Sequence, residues 1–267
     1  MQATPESAAL MPVLERMQVP REGILVVHSA IAKLSRAGFR AESMIEALLD
    51  YMNTGTLVMP TMTWRTVTPQ NPFWDELGTP SHTGVLSEIF RTRYAEARSI
   101  HPTHSVAAHG PHAYHLLARH HLDDTPVSPN SPYGLMRDEL SYVLMIGVGL
   151  ETCTAIHLPE ELVAPEVYLQ PGVEAYECSD RQGVSRRVWT RRHRRLDRDF
   201  PKFGPTLMME GHAHTTDIVG CSCMIVELQA LLNAVTTALH ADKNGTLDQG
   251  SSLEGVARTT CSGPHRI

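Results

Sequence analysis

The stretch GILVVHSAIAKLSRAGFRAESMIEALLDYMNTGTLVMP, residues 23–60, decides the fold. Gly23 leads into Ile24-Leu25-Val26-Val27, a short continuous apolar run that reads as a strand buried on both faces and ending at His28-Ser29. Over residues 41–53, Met44, Ile45, Leu48, Leu49 and Met52 recur at intervals of three and four, which predicts a helix, and Asn53-Thr54-Gly55 stops it. Thr56-Leu57-Val58-Met59 is then a second strand, closed by Pro60. Strand, helix, strand in that order predicts a parallel pair with a right-handed crossover. In such a sheet, functional groups gather beyond the strand carboxyl ends, here His28-Ser29 and Thr61-Met62-Thr63.

Outward from this core, residues 7–18 predict a leading helix. Residues 64–83, rich in Pro, Thr, Asn and Trp and without a period, predict a lid or binding loop, followed by a helix through about residue 93. A short strand is expected at 105–108, a helix at 111–121, a loop at 125–134 and a central strand at 143–147. Beyond 165 the texture changes. Residues 173–190 predict two strands around a turn at 179–183, then a helix at 200–209, a strand at 218–226 and a closing helix at 226–239. After Asp242, Gly, Ser, Thr and Asn replace large apolar residues, which predicts a disordered tail. The expected division is an N-terminal part at 1–165, a C-terminal subdomain at 166–241 packed on the same sheet, and a tail at 242–267.

Composition narrows the function. The chain has 267 residues, is 42% hydrophobic and 19% charged, and carries a formal net charge of −6. That balance argues against a general phosphate-backbone binder and is compatible with a cationic ligand. The longest apolar run, residues 143–150, is far too short to span a membrane, and the N-terminus lacks the basic start and apolar stretch of a signal peptide. A cytoplasmic protein without nucleic-acid or membrane partners, monomeric or homodimeric, is expected. Five scattered cysteines do not suggest a disulfide framework, and Cys221 and Cys223 read as small core residues on one strand face. Asp75, Glu76 and Asp180 fall in expected loops and are candidates for holding substrate ammonium groups, although charged loop residues are usually just solvated. The run Arg191-Arg192-His193-Arg194-Arg195 reads first as a solvated edge. Fifteen histidines include the close pairs His101/His104, His109/His112 and His212/His214, but none forms a strong zinc pattern. A metal-dependent hydrolase is thus the competing class, one that stoichiometric zinc and loss of activity with chelator would favour.

Six stretches, taken together, carry a family resemblance. They are LVVHSAIAKLS (25–35), GTLVMPTMTW (55–64), RSIHPTHSVAAHG (98–110), SPYGLM (131–136), VLMIGVGLETCTAIHLPEE (143–161) and FPKFGPTL (200–207). In content and order the chain resembles the aminoglycoside 3-N-acetyltransferases and their relatives of the antibiotic N-acetyltransferase type, over roughly residues 23–240. The resemblance implies a three-layer α/β/α fold with a mixed β-sheet, joined here to the smaller α+β subdomain, and acetyl-CoA as donor. It implies transfer of the acetyl group to the 3-amino group of an aminoglycoside; another small amine is the alternative acceptor. No metal is expected.

Carried onto this chain, the resemblance implies that Thr154, His157 and Glu160 form the Thr-x-x-His-x-x-Glu catalytic stretch. His28 and Ser29 with the following turn, including Ala30 and Ser35, correspond to the segment that receives CoA. Ser99, Thr103 and Ser105 correspond to a segment lining the same cleft. The family often has Ser where Ala30 stands, Gly where Ser35 stands and Ala where Pro159 stands.

The residue types suit the chemistry. Acetyl transfer to an amine needs a base, stabilisation of the carbonyl oxygen and alignment of two substrates. An imidazole titrates in the right range, and a carboxylate holds its tautomer. Glu160, three residues after His157, shares its helix face, and Pro159 is tolerated only in a first turn, so His157 is expected at a helix entrance with Glu160 or Glu161 reaching back. Thr154 either donates to the developing oxyanion or caps the segment. His28 either helps present backbone N–H groups to CoA or is a hydrogen-bonded turn residue. The 191–195 run has a second reading, as a partner for the 3′-phosphate of CoA.

Overall fold

The apolar runs become neighbouring strands of one sheet. A computed structural model describes residues 4–248. Its strands, in chain order, are β1 (Ile24–Ser29), β2 (Thr56–Pro60), β3 (Phe73–Asp75), β4 (Ala97–Arg98), β5 (Val106–His109), β6 (Ser141–Ile146), β7 (Glu174–Ser179), β8 (Ser185–Thr190), β9 (Ala213–Ile218) and β10 (Cys221–Glu227). The large sheet runs β4-β5-β2-β1-β6-β10-β9. β1 is parallel to β2, with Ile24 opposite Thr56, and parallel to β6, with Ile24 opposite Ser141. β5 and β10 are antiparallel to their neighbours, so the sheet is mixed, as expected. Strands β10 and β9, which follow residue 165, continue the same sheet as β1 and β6, which precede it.

The helices are α1 (Pro5–Arg16), α2 (Ala32–Arg36), α3 (Ala41–Tyr51), α4 (Val85–Arg93), α5 (Ala113–Leu117), α6 (Pro132–Met136), α7 (His157–Val163), α8 (Pro165–Tyr168), α9 (Gly204–Met209) and α10 (Leu228–Ala241). Alternation along β1 decides which of them it meets. Leu25 and Val27 join a cluster with Met44, Ile45 and Leu48 of α3 and with residues of α1 and α4. Ile24 and Val26 join another with Leu158 of α7 and with Leu231 and Val235 of α10. Each fully buried Leu, Ile or Val side chain contributes about 1.5–3 kcal/mol, which is why the central strands tolerate no polar face. Cys221 and Cys223 are buried free thiols in the α3-side cluster.

Three expectations are corrected. The region 64–83 is not all loop: β3 pairs in parallel with β7, and with β8 they form a second, three-stranded sheet around the buried Trp74. The region 125–134 does not stay irregular, because Ser131 accepts a hydrogen bond from the Gly134 amide and Pro132 opens α6; an N-cap has the composition of a loop. The apolar stretch at 218–226 is the end of one strand and the start of another. Val219 and Gly220, at φ 51° and 76°, turn β9 into β10, a pairing sustained by polar β9 residues that periodicity passes over.

The chain after 242 also departs from expectation as far as 248. Thr246 is 0% exposed, its carbonyl accepts from the Asp199 amide at 2.9 Å, and Leu247 bridges Arg198. The remainder of the expected tail lies outside the described residues. No helix among those described is long and apolar enough to cross a membrane.

Candidate active site

Beyond the carboxyl end of β6, Gly147 takes φ +69°, and a Cβ there would sit 2.4 Å from the Ala30 carbonyl oxygen. The chain then winds through two 3-10 turns, Leu150–Thr152 and Thr154–Ile156, into α7. Pro159 is the third residue of α7, within the first turn, where amides have no acceptor inside the helix. His157 thus stands at the helix entrance, as expected. It borders a cavity of about 330 Å³, together with Met62, Trp64, Thr103, Thr154 and the 192–198 segment.

Glu160, not Glu161, reaches back to His157. Its Oε2 lies 2.7 Å from His157 Nδ1. Glu160 is itself surrounded by donors: Arg198 Nε approaches both oxygens at 3.0 and 3.1 Å, and the Thr246 hydroxyl donates to Oε1 at 2.5 Å. Complete burial would raise this carboxyl, but His157, Arg198 and Thr246 together hold it below its ordinary value. The site therefore fixes an ionised carboxylate on one imidazole nitrogen, and Nε2 of His157 has no partner among the described residues.

Glu161 turns the other way. Its Oε1 lies 2.6 Å from His193 Nε2, and the Val127 amide donates to both of its oxygens at 2.9 and 3.0 Å. Burial pushes Glu161 up to about 8. His193, hidden in sequence inside a basic run, is a cavity residue whose ring centroid is 4.3 Å from that of His157. The run is not a solvated edge: the Arg191 and Arg194 amides donate to the Asp124 and Tyr168 carbonyls, fastening it beside α8. Its lone histidine among arginines was the available signal. Arg198 and Thr246 had none, since each meets Glu160 only through the fold.

The other expected residues separate. Thr154 borders the cavity, and no side chain caps α7, so its capping reading is not realised. Thr103 also borders the cavity, its hydroxyl 2.8 Å from His104 Nδ1. Ser99 and Ser105 do not. Ser99 pairs with His120 Nδ1 at 2.8 Å, and Ser105 donates to the Thr61 carbonyl at 2.7 Å. His28 is buried at the end of β1 and held down to about 4 by that burial, with Nε2 lacking a partner among the described residues. Neither it nor Ser29, Ala30 and Ser35 is among the residues bordering the cavity. The Ala30 amide is already donated to the Ile146 carbonyl, and Ser35 is exposed on α2.

Asp75, Glu76 and Asp180 are held by the protein itself and do not border the cavity. Asp75 accepts from the Leu77 and Gly78 amides, Glu76 pairs with Arg181 at 2.6 Å, and Asp180 pairs with Arg186 at 2.8 Å. Glu151, whose Oε1 accepts from the Gly149 amide at 2.8 Å, is the carboxylate among residues bordering the cavity, which also include Arg192, Arg194, Arg195 and Arg198. Among the described residues, no three His, Cys, Asp or Glu side chains are grouped to hold a metal ion.

Known proteins share this arrangement of sequence and fold. Residues 26–240 match the family described as aminoglycoside 3-N-acetyltransferase. Aminoglycoside N(3)-acetyltransferase VIII of Streptomyces fradiae is 30% identical over 204 residues, 69% of this chain and 68% of the relative. The prophage-derived aminoglycoside N(3′)-acetyltransferase-like protein YokD of Bacillus subtilis is 28% identical over 157 residues, 51% of this chain and 57% of its own length. Aminoglycoside N(3)-acetyltransferase IV of Salmonella sp. is 33% identical over 154 residues, 57% of this chain, and the match spans 58% of that relative. The crystal structure of YokD superposes with a TM-score of 0.73 at 21% identity, covering 89% of this chain and 94% of that one. A mutant of aminoglycoside acetyltransferase AAC(3)-IVa in complex with apramycin gives 0.68 at 25% identity, covering 91% and 95%. The matched segment runs from within β1 to the last turn of α10 and includes the His157–Glu160 pair, and on it the chain belongs to the aminoglycoside 3-N-acetyltransferase family.

Proposed function

We propose that this protein transfers the acetyl group of acetyl-CoA to an amine of an aminoglycoside, with His157 as general base. The observation that carries this reading is His157, half-buried on the cavity wall and held through Nδ1 by the buried Glu160. Glu160 accepts from Nδ1–H, which leaves Nε2 as the basic nitrogen facing the substrates. As the amine attacks the thioester carbonyl, His157 Nε2 takes its proton, and Glu160 stabilises the resulting imidazolium. Thr154, on the same wall, is the candidate donor to the carbonyl oxygen as it gains charge. Arg192, Arg194 and Arg195 supply positive charge for the phosphates of CoA. Trp64, 38% exposed on the cavity wall, offers a face to a sugar ring, and Glu151 offers a carboxylate to an ammonium group.

The four arginines also favour a second reading of the acceptor: a small amine that itself carries a carboxylate or phosphate. A thiol-release assay with acetyl-CoA separates the two. Aminoglycosides are expected to release CoA, and release only with anionic amines would keep the reaction and replace the acceptor. His157→Ala is expected to lower turnover roughly 10²–10⁴-fold, while CoA still raises the melting temperature. Unchanged turnover in that variant would remove His157 from the reaction.

A further inference from the structure

Helix α7 presents consecutive glutamates to two different imidazoles. Glu160 holds His157 through Nδ1 at 2.7 Å, and Glu161 holds His193 through Nε2 at 2.6 Å. The two rings lie 4.3 Å apart, tilted by 33°, and both border the same cavity. Each ring gives one nitrogen to a buried carboxyl group. The other nitrogen, Nε2 of His157 and Nδ1 of His193, has no partner among the described residues.

The two pairs are built differently. Arg198 and Thr246 donate to Glu160, whereas Glu161 receives the Thr125 side chain and the Val127 amide but no arginine hydrogen bond. Burial raises Glu161 and lowers His193, so the second pair keeps a proton on its carboxyl side at neutral pH. The charged and titratable groups around it are His157, Glu160, His101, His104, Arg191 and Arg198. With His157 charged next to it, His193 is driven to stay neutral, since two imidazolium rings 4.3 Å apart repel. A neutral His193 that accepts from Glu161 at Nε2 bears its own proton on Nδ1, the nitrogen turned away from the carboxyl.

We propose that His193 and Glu161 are the general acid of the transfer, protonating the departing thiolate of CoA. The inference rests on the acetyl-transfer reading and adds the second proton movement that the reaction requires. The amine nitrogen forms its bond to the carbonyl carbon and loses a proton to His157 Nε2. The carbon–sulfur bond breaks, its electron pair going to sulfur. His193 Nδ1 gives its proton to that sulfur while Nε2 takes the proton of Glu161, leaving a carboxylate on the Val127 amide. The proton on His157 then returns to the second pair, directly or through water. The sum is an amide and a free thiol, with no other reactant.

The experiment compares two acetyl donors, acetyl-CoA and S-acetyl thiophenol, whose acidic thiol leaves without protonation. For His193→Gln and the isosteric Glu161→Gln, turnover of acetyl-CoA is expected to fall by roughly 10²-fold, and turnover of the aryl thioester by less than about threefold. Circular dichroism and CoA-induced thermal shift confirm that the variants are folded. In the unaltered enzyme, acetyl-CoA turnover is expected to decline as pH rises through about 8, while aryl-thioester turnover does not. Equal losses with both donors, or an acetyl-CoA profile that stays level above that pH, overturn the general acid alone. No thiol release from acetyl-CoA by the unaltered enzyme with any amine overturns the acetyl-transfer reading as well.

Discussion

Glu160 shows how a residue acquires a role from what surrounds it. A carboxylate buried to 0% exposure is costly unless donors compensate it, and here they come from His157, Arg198 and Thr246. Hydrogen bonds to charged groups contribute about 1.5–3 kcal/mol each. Thr246→Val keeps the shape and removes the donor, so turnover is expected to fall about tenfold, while Thr246→Ser restores most of it. Steady-state kinetics of the two variants check this, and equal activity in both would show that the hydroxyl does not support the dyad. Glu160→Gln is expected to lose less than His157→Ala, because the imidazole remains. Its double variant should be far from additive, since the pair acts as a unit.

Among the elements, the β9–β10 hairpin carries an identifiable strain. Val219 is 64% exposed and takes φ 51°, a region that β-branched residues disfavour. Asp217 Oδ1 accepts from the Gly220 amide at 2.6 Å and completes the turn. Left-handed backbone costs an ordinary residue roughly 1–2 kcal/mol, and asparagine tolerates it better. Val219→Asn is therefore expected to raise Tm by about 2–4 °C in a thermal melt, without altering turnover. A lower Tm would mean that Val219 stabilises the edge strand in a way its exposure conceals. The helix α7 shows the opposite economy: its proline sits where the first turn admits it and its glutamates where both imidazoles need them.

For the whole molecule, burial of histidines couples stability to acidity. His28 and His120 are each held down to about 4 by burial, and burial also lowers His101, His104 and His193. In the unfolded chain these groups take up protons near pH 6.5, before the native ones do. Their contribution is therefore present above that pH and is lost as pH falls toward 4. For His28 and His120 it is on the order of 3 kcal/mol each. Urea midpoints are expected to drop steeply between pH 6.5 and 4, and a flat midpoint there would contradict the neutral buried state.

The mixed sheet followed from the family resemblance, whereas the parallel β1–α3–β2 core and the place of His157 at a helix entrance were legible in the sequence. These rest on local information: apolar periodicity, Gly and Pro stops, and the short spacing of His157, Pro159 and Glu160. Local spacing put both Glu160 and Glu161 within reach of His157 while the resemblance named Glu160; the fold selects Glu160 by bringing Arg198 and Thr246 to it and His193 to Glu161. The fold likewise shows that His28, Ser29, Ala30 and Ser35 do not border this cavity, although β1 ends at the same edge of the sheet as β6, and that Asp75, Glu76 and Asp180 fold back onto arginines and turn amides. Loop carboxylates look alike in sequence whether they meet a ligand or a neighbour. The difference lies in which distant donors the chain brings within hydrogen-bond reach, and that is a property of the folded molecule.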